Sequence, residues 1–534
     1  MKTMWRWMAV CICILFAESG IAGQAITGSG PDGVQLKIAM DAELVSLDPH
    51  EQLSESALQY SHMVFDPLVR WRQDGSFEPR LATRWQWMNA TTLRVFLRHG
   101  VFFHTGNPFR ADDVAFTIHR LQQSSDFKAL FRDISHVSVV DPLTIDIFTY
   151  HPSPLLLHVL TYVFTIDQRF YQGQDEIIKY GRSFASVHAS GTGPYKLQER
   201  VRGEKMVFVR NPDYWDKDSP GNVQRIEIVP VTSDSTRLAA LLTGDADVIT
   251  PVASVDVQRV NRLPEIQLIS LPGTRIIMLQ LNQQHRAELR DVRVRKAINL
   301  AINQRLIVKK ILRGLGQPAG QLSAEQFAGH VDELLPGYDL QKARQLMKQA
   351  GYEQGFRLSM IAPNNRYMND EQVAQAVVAM LRQIHIQVDL KTLPKAQYFQ
   401  LYDQQTADIM MVGWQSDTLD SNNIYEFMVA CRNGRTGLGT YNVTGYCNPE
   451  VDKQIQAAGK EMDREKRTLI LQNIEQILAK DVPVVPLHWQ RILWAVRKGV
   501  ELQDVLNVQN YPYLGDLVVH AQDQPNQVSG GVVK

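Results

Sequence analysis

Four scarcities narrow the possibilities for this 534-residue chain before any element is placed. Neither charge is in excess: 56 Lys plus Arg balance 56 Asp plus Glu, so no net field draws the chain onto nucleic acid or an anionic membrane. Catalytic signatures are missing as well. There is no G-x-S-x-G elbow, no H-E-x-x-H and no P-loop, and the 14 histidines are scattered without ligand spacing. Triads form in space, so an enzyme is not excluded, but the sequence suggests no reaction. The strongly apolar segment Met8 to Ala17 is too short to span a bilayer. Cysteine is scarce, with four residues at positions 11, 13, 431 and 447.

What is present starts with that apolar segment. Lys2 and Arg6 precede it and small residues follow it, which is the layout of an export signal, with cleavage after Ala22 or after Ala25. Residues 1–25 are therefore expected to be removed. Cys11 and Cys13 lack the preceding small residue of a lipoprotein signal, so a soluble exported protein is expected. Export then leaves Cys431 and Cys447, and a lone close pair in an oxidising compartment predicts a disulfide. Two thiols with no nearby Cys or His are too few for a metal site, and a free catalytic thiolate would be consumed by oxidation. The chain is too long for one core, so two or more lobes are expected.

Strand and helix patterns alternate along the chain. Val34 to Met40 reads as a strand, Ser54 to Val69 as an amphipathic helix started by Ser54, and Leu93 to Arg98 as a strand. Asp112 and Asp113 stand in the first turn of a helix, where carboxylates favour the positive end of the macrodipole. Gly191-Thr192-Gly193-Pro194-Tyr195 lacks the lysine of a phosphate loop and reads as a rigid turn into a strand. The alternation predicts α/β units with mainly parallel pairing and an antiparallel segment near residues 90 to 150. A change of character at Asn282 marks the expected lobe crossing.

The stretch Asp408 to Asn423 stands apart. Apolar residues Ile409 to Val412 halt at Gly413-Trp414-Gln415-Ser416-Asp417, the pattern of a buried strand carrying polar groups to its carboxyl end, where open α/β sheets bind ligands. Trp414, Ser416 and Asp417 are therefore candidate ligand-binding residues, with Asp417 at the centre. Ala362 to Asn369 follows another strand in the same lobe and places Arg366 where it could face the same cleft.

Taken together, Leu47-Asp48-Pro49, Phe65-Asp66-Pro67-Leu68, Pro79 to Trp85, Ala111 to Val114, Gly191 to Tyr195, Arg210 to Trp215, Gly244 to Asp247, Val294 to Ala297 and Gly413-Trp414 resemble, in order and spacing, the peptide/nickel cluster of solute-binding proteins that serve ABC importers. The resemblance covers essentially the whole chain after the signal. It implies an α/β fold of the two-lobed periplasmic-binding-protein kind (type II, Venus-flytrap), with an extra subdomain in the first lobe. The implied division is lobe I over 26–281, including a subdomain at about 60–190, lobe II over 282–484, and a return segment over 485–534 that completes lobe I.

The resemblance also implies a function: a periplasmic receptor, not an enzyme and without a cofactor. It would close on a short peptide and deliver it to a membrane permease with its ATPase. A monomer with no nucleic-acid partner is expected. In dipeptide binders of this family an aspartate after Gly-Trp pairs with the ligand ammonium, which corresponds to Asp417, and an arginine meets the ligand carboxylate near Asn365 and Arg366. Relatives carry a disulfide where Cys431 and Cys447 lie. The family's usual Asp-Pro-Asp-Asn is replaced by Asp420-Ser421-Asn422-Asn423, which leaves open a non-peptide solute such as an opine, an oligosaccharide, a metal chelate or haem. A secreted hydrolase is the remote alternative.

Overall fold

The computed structural model describes residues 33–520. The expected signal segment, with Cys11 and Cys13, and the end of the polar tail lie outside the described residues. Two long strands organise the rest. Ile266–Leu281 and Val484–Arg497 run antiparallel along most of their lengths. Ile266 to Pro272 pairs with Arg491 to Arg497, the register shifts, and Ile276 to Gln280 then pairs with Val484 to Trp489. Gly273 sits at the shift because a Cβ there would lie 2.6 Å from the Gln490 carbonyl oxygen.

The two halves of this ribbon belong to different cores. Ile269 and Trp494 pack with Leu36, Ile38 and Leu58, whereas Ile277 and Leu487 pack with Ile298 and Met360. Burial of apolar area stabilises each lobe separately, at roughly 25 cal/mol per Å² removed from water. The ribbon is thus the covalent link between two independently packed bodies, the arrangement that permits hinge motion.

On one side of the ribbon, Val34–Met40 lies parallel to Val223–Pro230 and Val248–Thr250, and the hairpin Tyr195–Val201 and Lys205–Arg210 extends the sheet. Val496, Leu502, Leu506, Leu514 and Val519 of the carboxyl-terminal segment are buried in this lobe's core. On the other side, Arg357–Pro363 lies parallel to Gln387–Leu393 and to Ile409–Gln415. A separate antiparallel sheet of Ala82–Asn89, Thr92–Leu97, Thr144–Thr149 and Ile134–Asp141 covers the region expected to be antiparallel.

The expected predominance of parallel pairing does not hold. Parallel pairs are confined to the neighbours of Val34–Met40 in the first lobe and of Arg357–Pro363 near the sheet edge in the second, and the joined sheet is mixed. A chain that leaves a lobe and returns beside itself must run antiparallel at the crossing, and a tight hairpin can only be antiparallel. Local periodicity does not carry that information. The first helix is also shorter than expected, Glu55–Val64, and Ser54 makes no side-chain cap.

The motifs dispersed through the first lobe converge in space. The Asp66 carboxylate accepts from Thr192 Oγ1 at 2.9 Å, Tyr214 Oη at 3.0 Å and Trp215 Nε1 at 2.8 Å, and lies 3.6 Å from an Arg80 nitrogen. Asp48 is held by a two-pronged Arg120 guanidinium at 2.7 and 2.6 Å. Asp113 accepts from the backbone N–H groups of Arg110 and Gln168, so this carboxylate closes a helix start. The turn 191–195 packs on the Val64–Phe65 backbone, where a Cβ on Gly191 would lie 2.1 Å from the Val64 oxygen.

Candidate ligand-binding cleft

Three neighbouring strands in the second lobe end at one place. Pro363 and Leu393 are in register at the ends of Arg357–Pro363 and Gln387–Leu393, and Ile409–Gln415 lies on the other flank of Arg357–Pro363. The loops that follow carry Arg366 and Asp417, and Lys395 opens the helix after Leu393. They are tied together. The Asn365 side-chain oxygen accepts from the Lys395 N–H at 2.7 Å, and Tyr367 Oη accepts from the Gly413 N–H at 2.9 Å. Gly413 permits that approach, since a Cβ would stand 2.8 Å from Tyr367 Cε1.

Residues of the first lobe and of the carboxyl-terminal segment clasp the Asp417 loop through its backbone. Tyr162 Oη donates to the Asp417 carbonyl at 2.6 Å, the His158 Nδ1–H donates to the Thr418 carbonyl, and Gln509 Nε2 donates to the Ser416 carbonyl at 2.8 Å. A further bridge joins Arg132 Nη2 to Glu426 Oε2 at 2.7 Å. Leu419 holds a φ of +51°, a region unfavourable to a branched side chain and one where strain tends to mark functional loops.

The side chain of Asp417 is treated differently from its backbone. It is half-buried, and among the described residues no hydrogen bond reaches its carboxylate. Burial raises its carboxyl to about 7, against which the positive charge of Arg275 pulls it down. A carboxylate so placed is short of a cationic or donor partner.

Arg366 is in a comparable position. Its backbone N–H donates to Asp370 and its guanidinium lies 5.3 Å from the Tyr367 ring centroid, but its side chain makes no hydrogen bond or ion pair among the described residues. Burial lowers its pKa, and the neighbouring Arg275 lowers it further. Arg275, on the crossing strand opposite Gln415, donates to the Gln415 side chain and sits 3.4 Å from Glu55 of the first lobe. Glu55 in turn accepts from Asn510 Nδ2.

The other two expected residues face inward. Ser416 is buried, and its hydroxyl donates to the Asp420 carbonyl at 2.8 Å and accepts from the Asp420 N–H at 3.2 Å. Trp414 donates to Asn423 Oδ1 at 2.9 Å and packs against both Phe427 and Tyr441, with centroids 5.5 and 5.4 Å away. Both brace the loop. The divergent segment is structural as well: Asp420 pairs in two-pronged fashion with buried Arg467 at 2.6 and 2.8 Å and accepts from the Asn422 N–H. Cys431 and Cys447 form the expected disulfide, with Cα atoms 4.5 Å apart.

Sequence reasoning missed Arg275, Lys395 and Glu55. A signal existed for Arg275, a cation inside a long apolar strand, which calls for a partner. The first lobe contains an apolar cavity lined by Met40, Met63, Met206, Trp494, Leu514 and Gln59. Gln59 and Trp494 both donate to Asn510 and so connect the cavity to Glu55. Among the described residues no helix is long and apolar enough to cross a membrane.

Comparison with known proteins agrees with this layout. The family model described as bacterial extracellular solute-binding proteins, family 5 Middle, matches residues 76–436. The glutathione-binding protein GsiB of Salmonella choleraesuis is 25% identical over 475 residues, covering 87% of this chain and 90% of that protein. The dipeptide-binding protein of Escherichia coli K12 is 25% identical over 453 residues, covering 79% and 83%. The solved structure of the ABC transporter-associated periplasmic binding protein DppA from Helicobacter pylori, in complex with peptide STSA, superposes with a TM-score of 0.78 at 24% identity. It covers 91% of this chain and 98% of that one. The fold is thus the two-lobed type II periplasmic-binding-protein architecture with its extra subdomain.

Proposed function

The chain belongs to the bacterial extracellular solute-binding proteins of family 5, and from that membership and the chemistry of the cleft we propose that it captures short peptides for an ABC importer. The observation that carries this reading is the Asp417 carboxylate, half-buried at a strand end with no hydrogen-bond partner among the described residues. A peptide α-ammonium supplies the missing donors, and a charge-assisted bond in a closed cleft is only weakly screened. Arg366 receives the ligand carboxylate. Trp414 and Ser416 act through the loop, holding Asp417 in place. An apolar ligand side chain is accommodated by the cavity beside Asn510, and relatives named for binding glutathione and dipeptides support a ligand of this size.

In this reading the peptide bridges the lobes, favours the closed arrangement, and is released to a permease driven by its ATPase. The ribbon of Ile266–Leu281 and Val484–Arg497 serves as the hinge, and the chain divides about it into 26–281, 282–484 and 485–534, with the ribbon residues Ile277 and Leu487 packing on the second lobe. The protein acts as a periplasmic monomer after removal of residues 1–25, with no turnover, cofactor or nucleic-acid partner. Calorimetry on protein freed of bound ligand by unfolding and refolding, titrated with di- and tripeptides, tests the proposal. Saturable binding of free peptides is expected. Binding of an opine, sugar, chelate or haem with no binding of any peptide would overturn it.

A further inference from the structure

Building on the peptide reading, we infer that the cleft selects peptides whose carboxyl-terminal end carries a second carboxylate. Three cations gather where the strand ends meet: Arg366 on the loop after Arg357–Pro363, Lys395 at the start of the helix after Gln387–Leu393, its backbone N–H bound to Asn365 of that loop, and Arg275 on the crossing strand opposite Gln415. Arg366 is fixed beside Tyr367, whose hydroxyl meets Gly413, so the group is anchored to the same strand that carries Asp417. Of the three, Arg275 alone has a carboxylate within ion-pair distance, Glu55 at 3.4 Å. Among the described residues Arg366 and Lys395 form no ion pair and no side-chain hydrogen bond.

Like charges at close quarters oppose one another, and after burial the largest influence on both Lys395 and Arg366 is repulsion from a neighbouring cation. Asp41 of the first lobe offsets this in part, but it is exposed and makes no ion pair with either. A single terminal carboxylate satisfies Arg366 and leaves Lys395 without an anion. A ligand with one ammonium for Asp417 and two carboxylates for Arg366 and Lys395 matches the unpaired groups one for one. Lys is suited to the second contact because its flexible stem reaches a side-chain carboxylate of variable position.

The test compares Ala-Glu with its neutral isostere Ala-Gln by calorimetry at pH 7.5, on the wild type and on Lys395→Gln, an exposed position where substitution leaves the core untouched. The wild type is expected to bind Ala-Glu at least about tenfold more tightly, a factor equal to roughly 1.4 kcal/mol. That preference should fall toward one in Lys395→Gln, and in the wild type it should shrink as salt is raised. Equal binding of the two dipeptides by the wild type overturns the inference and leaves the peptide reading standing. A preference that survives in Lys395→Gln overturns it as well. Failure of both dipeptides, and of every other free peptide, overturns the peptide reading itself.

Discussion

Asp66 and Asp417 are both carboxylates set among apolar residues, one in each lobe, and their surroundings are opposite. Asp66 is fully buried and meets a hydroxyl, a phenol, an indole and a guanidinium drawn from three separate stretches of the chain. Asp417 is half-buried at the lobe boundary, and its carboxylate meets no donor within hydrogen-bond reach among the described residues. The first completes a structure and the second awaits a partner. Motif strength in sequence does not separate them, because Phe65-Asp66-Pro67 is as distinctive as Gly413-Trp414. What separates them is whether the protein itself supplies the donors.

The sharpest way to break this contrast is to remove each carboxylate in turn. Asp66→Ala leaves the Thr192, Tyr214 and Trp215 donors without their acceptor, while Arg80 keeps Asp216 at 2.8 Å, and is expected to cost about 3–5 kcal/mol of stability in urea denaturation. Asp417→Asn in the ligand-free protein is expected to lower stability not at all and, at pH 8, to raise the melting temperature, because it removes an uncompensated carboxylate. Equal losses from the two changes would erase the distinction.

The disulfide sharpens the comparison from another side. It closes a 16-residue separation that includes Tyr441, one of the aromatic neighbours of Trp414. Replacing both cysteines by serine should lower stability by about 3 kcal/mol on the chain-entropy estimate, while leaving the Asp66 network intact. Thermal unfolding with and without reductant reads this directly.

A third prediction concerns pH. The Asp417 carboxyl lies at about 7, above the ordinary 3.8, so the ligand-free folded state keeps a proton that the unfolded state releases. Its contribution to ligand-free stability is therefore lost as pH rises from about 4 to about 7. Binding of an ammonium requires the ionised form and gains over the same window. The dissociation constant should fall by up to about tenfold per pH unit below pH 7, and Asp417→Asn should abolish the dependence. A flat profile in the wild type would count against the assignment. The smallest effect expected is that of Tyr162→Phe, which removes one hydrogen bond to the Asp417 carbonyl, worth about 1 kcal/mol. It should weaken binding several-fold through lobe closure, readable by calorimetry and by small-angle scattering with and without ligand.

Much of this was legible in the sequence, and the part that was not has a physical cause. The strand Ile409–Gln415, the loop after it, the disulfide and the α/β alternation follow from local pattern and compartment, and the two-lobed class from the family resemblance. The Ser416 hydroxyl is committed to Asp420, and no local pattern distinguishes a loop-bracing serine from one that faces a ligand. Arg275 and Glu55 are 220 residues apart, and Glu55 and Asn510 are 455 apart, so only the folded chain brings them together. The balance of parallel and antiparallel pairing was lost for the same reason, since strand direction at the crossing depends on how the chain returns.

The central claim, that Asp417 receives a ligand ammonium, is tested most directly by the calorimetric affinity of wild type and Asp417→Asn for one dipeptide that the wild type binds, at pH 7.5. The charge pair predicts a loss of about 2–5 kcal/mol. An unchanged dissociation constant would contradict it.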